Sequence, residues 1–225
     1  MDTYGLIGFP LRHSFSSRFF SEKFTRERID AEYLNFEIAD ITELRRVILS
    51  NPSLRGLNVT IPYKEQVIPF LHALSPEAEQ IGAVNVIRVE RTPEEMYSYR
   101  LTGYNTDCIG FRESLRPILH NEIYTAALIL GTGGASKAVA QALTELQIDW
   151  RLVSRSPSEK RYSYDELTPG IIAAHKLIVN ASPVGTFPNN DRCPAIPYQA
   201  LTSDHLLYDL VYNPEETLFL KKGKE

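Results

Sequence analysis

Two groups of residues in this chain have the types and spacing for chemistry. The first is Gly131-Thr-Gly-Gly-Ala-Ser136, set between the apolar run Ala126-Ala-Leu-Ile-Leu130 and the helical stretch Lys137-Ala-Val-Ala-Gln-Ala-Leu143. A buried strand that breaks into glycines and then into a helix is the pattern of a nucleotide-phosphate site. Glycine takes positive φ and lets the backbone approach a pyrophosphate closely. The new helix aims its first N–H groups at that anion. Gly131, Thr132, Gly133, Gly134 and Ala135 are therefore expected to bind a dinucleotide. The alternative for an isolated glycine run is a tight structural turn. The strand before it and the helix after it supply the context the motif requires.

The second strand of such a unit ends about 20 residues further on. Trp150-Arg-Leu-Val153 fits, and it runs into Ser154-Arg155-Ser156. An NAD site would place Asp or Glu there, to accept from the ribose 2′-OH. Here Arg155 stands between two hydroxyls, with Lys160 and Arg161 behind it. Ser154, Arg155 and Ser156 suit the 2′-phosphate of NADP. A solvated basic loop is the other reading of these charges, and their distance from the glycine turn favours NADP.

The second group lies in the first half. In Leu57-Asn58-Val59-Thr60-Ile61 the side chains alternate, with Asn58 and Thr60 on one face. This reads as an edge strand wetting one face, or as the floor of a ligand site. Pro62 ends the strand and Lys64 follows, so an amide, a hydroxyl and an ammonium meet at one strand end. Such a set suits a hydroxylated, anionic ligand. Asn85 interrupts the apolar stretch Ala83–Ile87 and, if buried, needs partners as a backbone clamp or a ligand contact. His13-Ser14-Phe15-Ser16-Ser17 offers hydroxyls two apart, at least one of them expected as a helix cap. Asp107, in Asn105-Thr106-Asp107, is expected to cap a helix from Cys108 to Leu119 and to pair with Lys64.

These residues must be positioned by two α/β units. Strands are expected at Tyr4–Phe9, Glu32–Ile38, Leu57–Ile61, Ala83–Val89 and Tyr97–Leu101. Helices are expected at Ser17–Arg28, from a cap at Thr42 through Leu49, and at Glu65–Leu74. The break at Gly103 sets a first domain of 1–103 and a second of 104–225. The second has strands at Ala126–Leu130, Trp150–Val153, Leu177–Val179 and Leu206–Leu210. The fold class is α/β: a substrate-binding domain, then a Rossmann-like NADP domain, with a cleft expected between them.

The composition agrees. The chain has 225 residues, 43% of them hydrophobic and 23% charged, with a net charge of -4, which is the range of a soluble globular protein. No basic stripe points to nucleic acid. No apolar run has the length of a membrane span, and the N-terminus does not read as a signal peptide. Cys108 and Cys193 form no CxxC, as in a cytoplasmic protein with reduced thiols. No cluster has metal-ligand spacing, so no metal is expected. A monomer or homodimer is expected.

The ordered set of motifs resembles the shikimate dehydrogenase family. It comprises His-Ser-x-Ser (13–16), Asn-Val-Thr-x-Pro-x-Lys (58–64), Gly-Ala-x-Asn (82–85) and Asn-Thr-Asp (105–107). The glycine turn, Asn-Ala-Ser-Pro-x-Gly (180–185) and Asp-x-x-Tyr-x-Pro (209–214) follow in the family's order. The resemblance spans the chain. It implies NADP-dependent, reversible reduction of 3-dehydroshikimate to shikimate, on the route to chorismate and the aromatic amino acids. It also implies that Ser14 and Ser16 bind the substrate carboxylate, that Asn58, Thr60, Asn85 and Asp107 hold ring hydroxyls, and that Lys64 is the acid/base residue beside Asp107. Tyr212 would reach the substrate from the cofactor domain, and Asn180 and Val211 would contact the cofactor. A dehydrogenase for quinate or an aminated shikimate, and a sensor that binds without turnover, are the alternatives.

The sequence departs from the family pattern twice. Thr186 and Phe187 follow Gly185 where the family has Met. The family also continues with a strand, a Gly-x-x-Met-Leu segment carrying a substrate-contacting Gln, and a terminal helix, none of which is present in the sequence to Glu225. The expectation is an exposed sheet edge and respectable NADP binding with poor turnover.

Overall fold

The computed structural model describes residues 1–11, 15–91, 98–119, 123–156, 158 and 161–225. The chain forms two compact units, Met1–Thr106 and Asp107–Glu225.

The first unit is built on strands β1 (Asp2–Gly8), β2 (Ala31–Glu37), β3 (Leu54–Val59), β4 (Ala73–Leu74), β5 (Val86–Arg91) and β6 (Tyr99–Tyr104), in sheet order β2-β1-β3-β5-β6-β4. β1 is parallel to both β2 and β3, whereas β5 is antiparallel to β3 and β6. This reversal has a positional consequence. The residue that enters β5, Asn85, comes to the same sheet edge as the ends of β1, β3 and β6.

Helices α1 (Phe15–Glu27), α2 (Leu44–Ser50), α3 (Tyr63–Gln66) and α4 (Pro76–Ile81) complete the unit. The alternation in β3 sorts its faces as expected. Leu57 and Val59 are buried with Ile7, Ile87, Leu101, Leu44, Ile48 and Val67 in the main core. On the other face Phe24 and Phe20 of α1 pack on Leu6 and Tyr33. Each such side chain, fully buried, contributes about 1.5–3 kcal/mol.

Three local expectations are corrected. Asp40, not Thr42, caps the turn that enters α2: its carboxylate accepts from both the N–H and the hydroxyl of Thr42, at 2.8 and 2.6 Å. An acceptor-only carboxylate takes both bonds where a threonine would supply one. The helix expected at Glu65–Leu74 stops at Gln66, becomes a 3-10 turn at Ile68–Phe70 and ends in β4. Pro69, which lacks an N–H, prevents its continuation. α4 was not expected, although Ser75 caps it, Pro76 starts it and Gly82 ends it at φ 67°.

The second unit holds a five-stranded parallel sheet of β7 (Ala126–Leu130), β8 (Asp149–Ser154), β9 (Arg161–Ser163), β10 (Leu177–Asn180) and β11 (Leu206–Asp209). Its order is β11-β10-β7-β8-β9. The chain leaves the central β7 in one direction and returns to its other side, which places the switch point between β7 and β10. Helices α5 (Asp107–Leu115), α6 (Gly134–Glu145), α7 (Pro169–Ala174) and α8 (Leu218–Lys224) complete it. β7 is buried on both faces, and α6 packs through Ala138, Val139, Ala142 and Leu143. α5 begins at Asp107 itself and gives way to a 3-10 turn at Arg116–Ile118, short of the helix to Leu119 that was expected. Among the described residues no helix is long and apolar enough to cross a membrane.

The cap of α4 can be tested in isolation from the sites. Ser75→Ala removes the acceptor of the Ala78 N–H and should cost about 1 kcal/mol. The urea midpoint should fall with an unchanged slope.

Candidate functional site

In the first unit the polar residues singled out above gather at the edge where β1, β3 and β6 end and β5 begins. Lys64 follows β3 on α3, whose position is set from three sides. The Tyr63 hydroxyl donates to the Ile38 carbonyl at 2.6 Å, Val67 is fully buried, and the Val84 N–H donates to the Lys64 carbonyl at 2.7 Å. Thr60 continues β3, and its N–H donates to the Ile7 carbonyl at 3.0 Å. A Cβ on Gly8 would lie 2.4 Å from the Thr60 methyl, so glycine at that position makes room for Thr60.

Asn58 is half-buried, and its Oδ1 accepts from the Tyr33 hydroxyl at 2.7 Å. Asn85 is the clamp that its burial required: its Nδ2 donates to Thr106 Oγ1 at 2.9 Å and its Oδ1 accepts from the Thr106 N–H at 2.9 Å. The next amide, Asn105, donates to the Ala83 carbonyl at 3.0 Å. Ser16 lies in the first turn of α1. Ser14 and His13 lie outside the described residues.

In the second unit the glycine turn has the geometry of an anion cradle. Gly131 has φ 121°, and a Cβ there would meet the Ala181 carbonyl oxygen at 3.1 Å. Gly133 is the N-cap of α6 and brings no side-chain cap, and no described atom lies within 4 Å of where its Cβ would be. The Ser136 hydroxyl beneath the turn is buried without a hydrogen-bond partner among the described residues. Uncapped helix amides, open space over a glycine and an orphaned hydroxyl fit a bound pyrophosphate. Thr132 is exposed, and Gly134 and Ala135 open α6.

Beside this turn lies a cavity of about 340 Å³, lined by Thr132, Ser136, Lys137, Trp150, Ser158 and Arg161 among others. Its cations are Lys137 and Arg161. Lys137 was not among the expected contacts; its place one turn into α6 was the available signal. Arg155 is exposed past the end of β8, and Ser154 accepts from the Ser156 N–H at 3.2 Å. Lys160 lies outside the described residues. A larger cavity in the first unit, of about 510 Å³, lies at the edge opposite the polar cluster. Two of its cations, Arg55 and Arg88, are paired with Asp2 and Glu90.

The side chain of Asn180, expected to touch cofactor, is fully buried and bonded within the protein. Its Nδ2 donates to Asp209 at 2.9 Å and to the Val184 carbonyl at 3.2 Å, and its Oδ1 accepts from the N–H and hydroxyl of Ser182. Asn180 therefore shapes the loop after β10. Asp209 ends β11 and is the centre of the same network. It accepts from Asn180, from the Val211 N–H at 2.9 Å and from the Thr217 hydroxyl at 2.6 Å. Thr217 in turn caps α8. The loops after β10 and β11 are also tied by the Phe187 N–H donating to the Asn213 carbonyl at 2.9 Å. Tyr212, in the second loop, is 67% exposed. Asp209 was legible only as part of a motif, because its partners lie far apart in sequence.

A parallel dinucleotide sheet, joined to an α/β unit that gathers amides, hydroxyls and an ammonium at one edge, defines the class of two-domain α/β dehydrogenases. The first unit matches the shikimate dehydrogenase substrate binding domain over residues 6–87. The chain is 36% identical to a shikimate dehydrogenase (NADP(+)) of Carboxydothermus hydrogenoformans, over 98% of this chain and 82% of that protein. It superposes on the shikimate dehydrogenase 1 crystal structure from Peptoclostridium difficile with a TM-score of 0.84 and 36% identity, over 100% of this chain and 82% of the other. For the Thermus thermophilus enzyme, solved in complex with NADP(H) and shikimate, the TM-score is 0.82 and the identity 29%, over 100% and 84%. The chain belongs to the shikimate dehydrogenase family.

Burial holds the Asp209 carboxyl above the ordinary carboxylate range, with its three hydrogen bonds opposing. The folded chain thus binds this proton more readily than the unfolded one. Its contribution to stability is full below the unfolded pKa and is lost as pH rises through the folded value. Asp209→Asn should flatten that part of the pH–stability curve. Asp209→Ala, which orphans three donors, should destabilise more than Asp209→Asn, at about 1–3 kcal/mol per group left unpaired. Thermal melts across the acid range check both.

Proposed function

We propose that this chain catalyses the NADP-dependent, reversible reduction of 3-dehydroshikimate to shikimate. The observation that carries this reading is the convergence of Asn58, Thr60, Lys64 and Asn85 on one edge of the first unit. The glycine turn of a dinucleotide sheet in the second unit supports it.

In this reading Ser14 and Ser16 take the substrate carboxylate, and Asn58, Thr60, Asn85 and Asp107 hold the ring hydroxyls. Each supplies a short polar group of the kind a polyhydroxylated ring needs. Tyr212 adds a phenol from the loop after β11. Gly131, Thr132, Gly133, Gly134 and Ala135 hold the pyrophosphate, and Ser154, Arg155 and Ser156 the 2′-phosphate. Val211 would contact the cofactor from the loop after β11, and Asn180 shapes the loop after β10. When bound, NADPH supplies the hydride.

The chain's own task is the proton. As the substrate carbonyl is reduced, negative charge develops on its oxygen. The Lys64 ammonium stabilises that charge and delivers the proton, with Asp107 as its carboxylate partner. In the reverse direction Lys64 accepts the proton from the hydroxyl. Burial and the Glu145 carboxylate push the Cys108 thiol up to about 11, so it is protonated at neutral pH and is no nucleophile. The free thiols of Cys108 and Cys193 accord with a cytoplasmic setting.

A spectrophotometric assay of NADP reduction, with shikimate and separately with quinate, tests the reading. Turnover on quinate alone would assign a different dehydrogenase, and binding of both ligands without turnover would assign a sensor. Lys64→Ala should lower kcat by about 10²–10⁴-fold while changing shikimate affinity far less. A near-normal kcat would remove Lys64 as proton donor. Arg155→Ala should weaken NADP by about 1.5–3 kcal/mol and leave NAD unchanged, since only NADP carries the 2′-phosphate. Equal weakening of both cofactors in fluorescence titrations would take Arg155 out of that role.

A further inference from the structure

Tyr33 lies on β2, two strands from Asn58, with β1 between them. Its ring is 6% exposed and stacks on Phe20 with centroids 4.7 Å apart and planes within 10°. The stack fixes the plane of the phenol and so the place of its hydroxyl. That hydroxyl reaches over β1 to Asn58 Oδ1, at 2.7 Å. One buried phenol on β2 thus reaches the residue before the last of β3.

An asparagine amide has a donor end and an acceptor end of nearly equal shape. With no fixed partner it can present either end to a ligand. Burial raises the Tyr33 hydroxyl far above its ordinary pKa, so it keeps its proton. That proton is donated to Asn58 Oδ1 at 2.7 Å, so Asn58 meets the phenol with its oxygen. The Nδ2 donor is left as the end that Asn58 offers elsewhere.

We propose that Tyr33 is a positioning residue that sets the orientation of the Asn58 amide, so that Asn58 presents an N–H donor to a substrate ring hydroxyl. The inference rests on the reading that Asn58 contacts substrate. It makes the recognition at this point directional: the ligand atom at Asn58 is an acceptor, held in place by a residue that does not touch it.

The test uses steady-state kinetics on the whole chain, with melting temperature as a control. Tyr33→Phe keeps the ring and its stack and removes one oxygen. It should raise the KM for shikimate by about 3- to 10-fold, the range of one neutral hydrogen bond. It should leave the KM for NADP and kcat within about twofold, a split that loss of stability alone would not produce. Asn58→Ala should raise the shikimate KM, and adding Tyr33→Phe to it should then change little, because the group that Tyr33 orients is gone. Asn58→Asp keeps an acceptor for Tyr33 but offers no donor outward, so it should lose as much as Asn58→Ala. This variant tests the inference even if Tyr33→Phe folds poorly. A wild-type KM in Asn58→Asp, or full additivity in the double variant, overturns the role of Tyr33 while leaving the substrate contact at Asn58 intact. An unchanged KM in Asn58→Ala overturns that contact and the inference with it.

Discussion

Three asparagine amides, at positions 58, 85 and 180, stand where strands begin or end, and each must find partners inside the protein. An amide buried without partners costs more than its packing returns. Asn58 is met by Tyr33, Asn85 by Thr106, and Asn180 by Asp209 and Ser182. These contacts fix the shape of each sheet edge independently of ligand. The polar groups at these edges therefore rest on a network already satisfied, which is what preorganisation means at the level of single bonds.

Strand direction decides which residues can take part. In the second unit all strands run parallel, so every loop at their carboxyl ends falls on one side, and the glycine turn shares it with the Asn180 and Asp209 loops. The first unit reaches a similar end differently. β5 runs against β3 and β6, and this reversal brings the entry of β5, rather than its exit, to the working edge. Asn85 owes its position to that single antiparallel strand.

The sequence made some of this legible and hid the rest for identifiable reasons. The run Ala126–Leu130 followed by glycines could be read locally, because both strand and turn are defined by adjacent residues. The alternation Leu57-Asn58-Val59 likewise displayed the two faces of β3. Thr42 was read as a cap because it precedes a periodic stretch, yet Asp40 two residues earlier had the stronger acceptor. β9 spans only Arg161–Ser163 and owes its form to pairing with β8, which no short window reveals. Tyr33 was invisible as a determinant, and Asp209 visible only as a motif residue, for a different reason. Tyr33 bonds a residue 25 positions away, and Asp209 one 29 positions away, so their roles exist only after folding.

The Asp209 carboxylate also has a bearing on motion. It joins the loop after β10, the loop after β11 and the first turn of α8 through bonds to a single side chain. Segments that share one anchor cannot open independently without stripping that anchor of its partners. In amide hydrogen exchange, the Val211 and Leu220 N–H groups, which bond Asp209 and Thr217 respectively, should therefore belong to one cooperative opening unit. The cofactor-facing end of this sheet would then fluctuate as a block, with its two loops open or closed together.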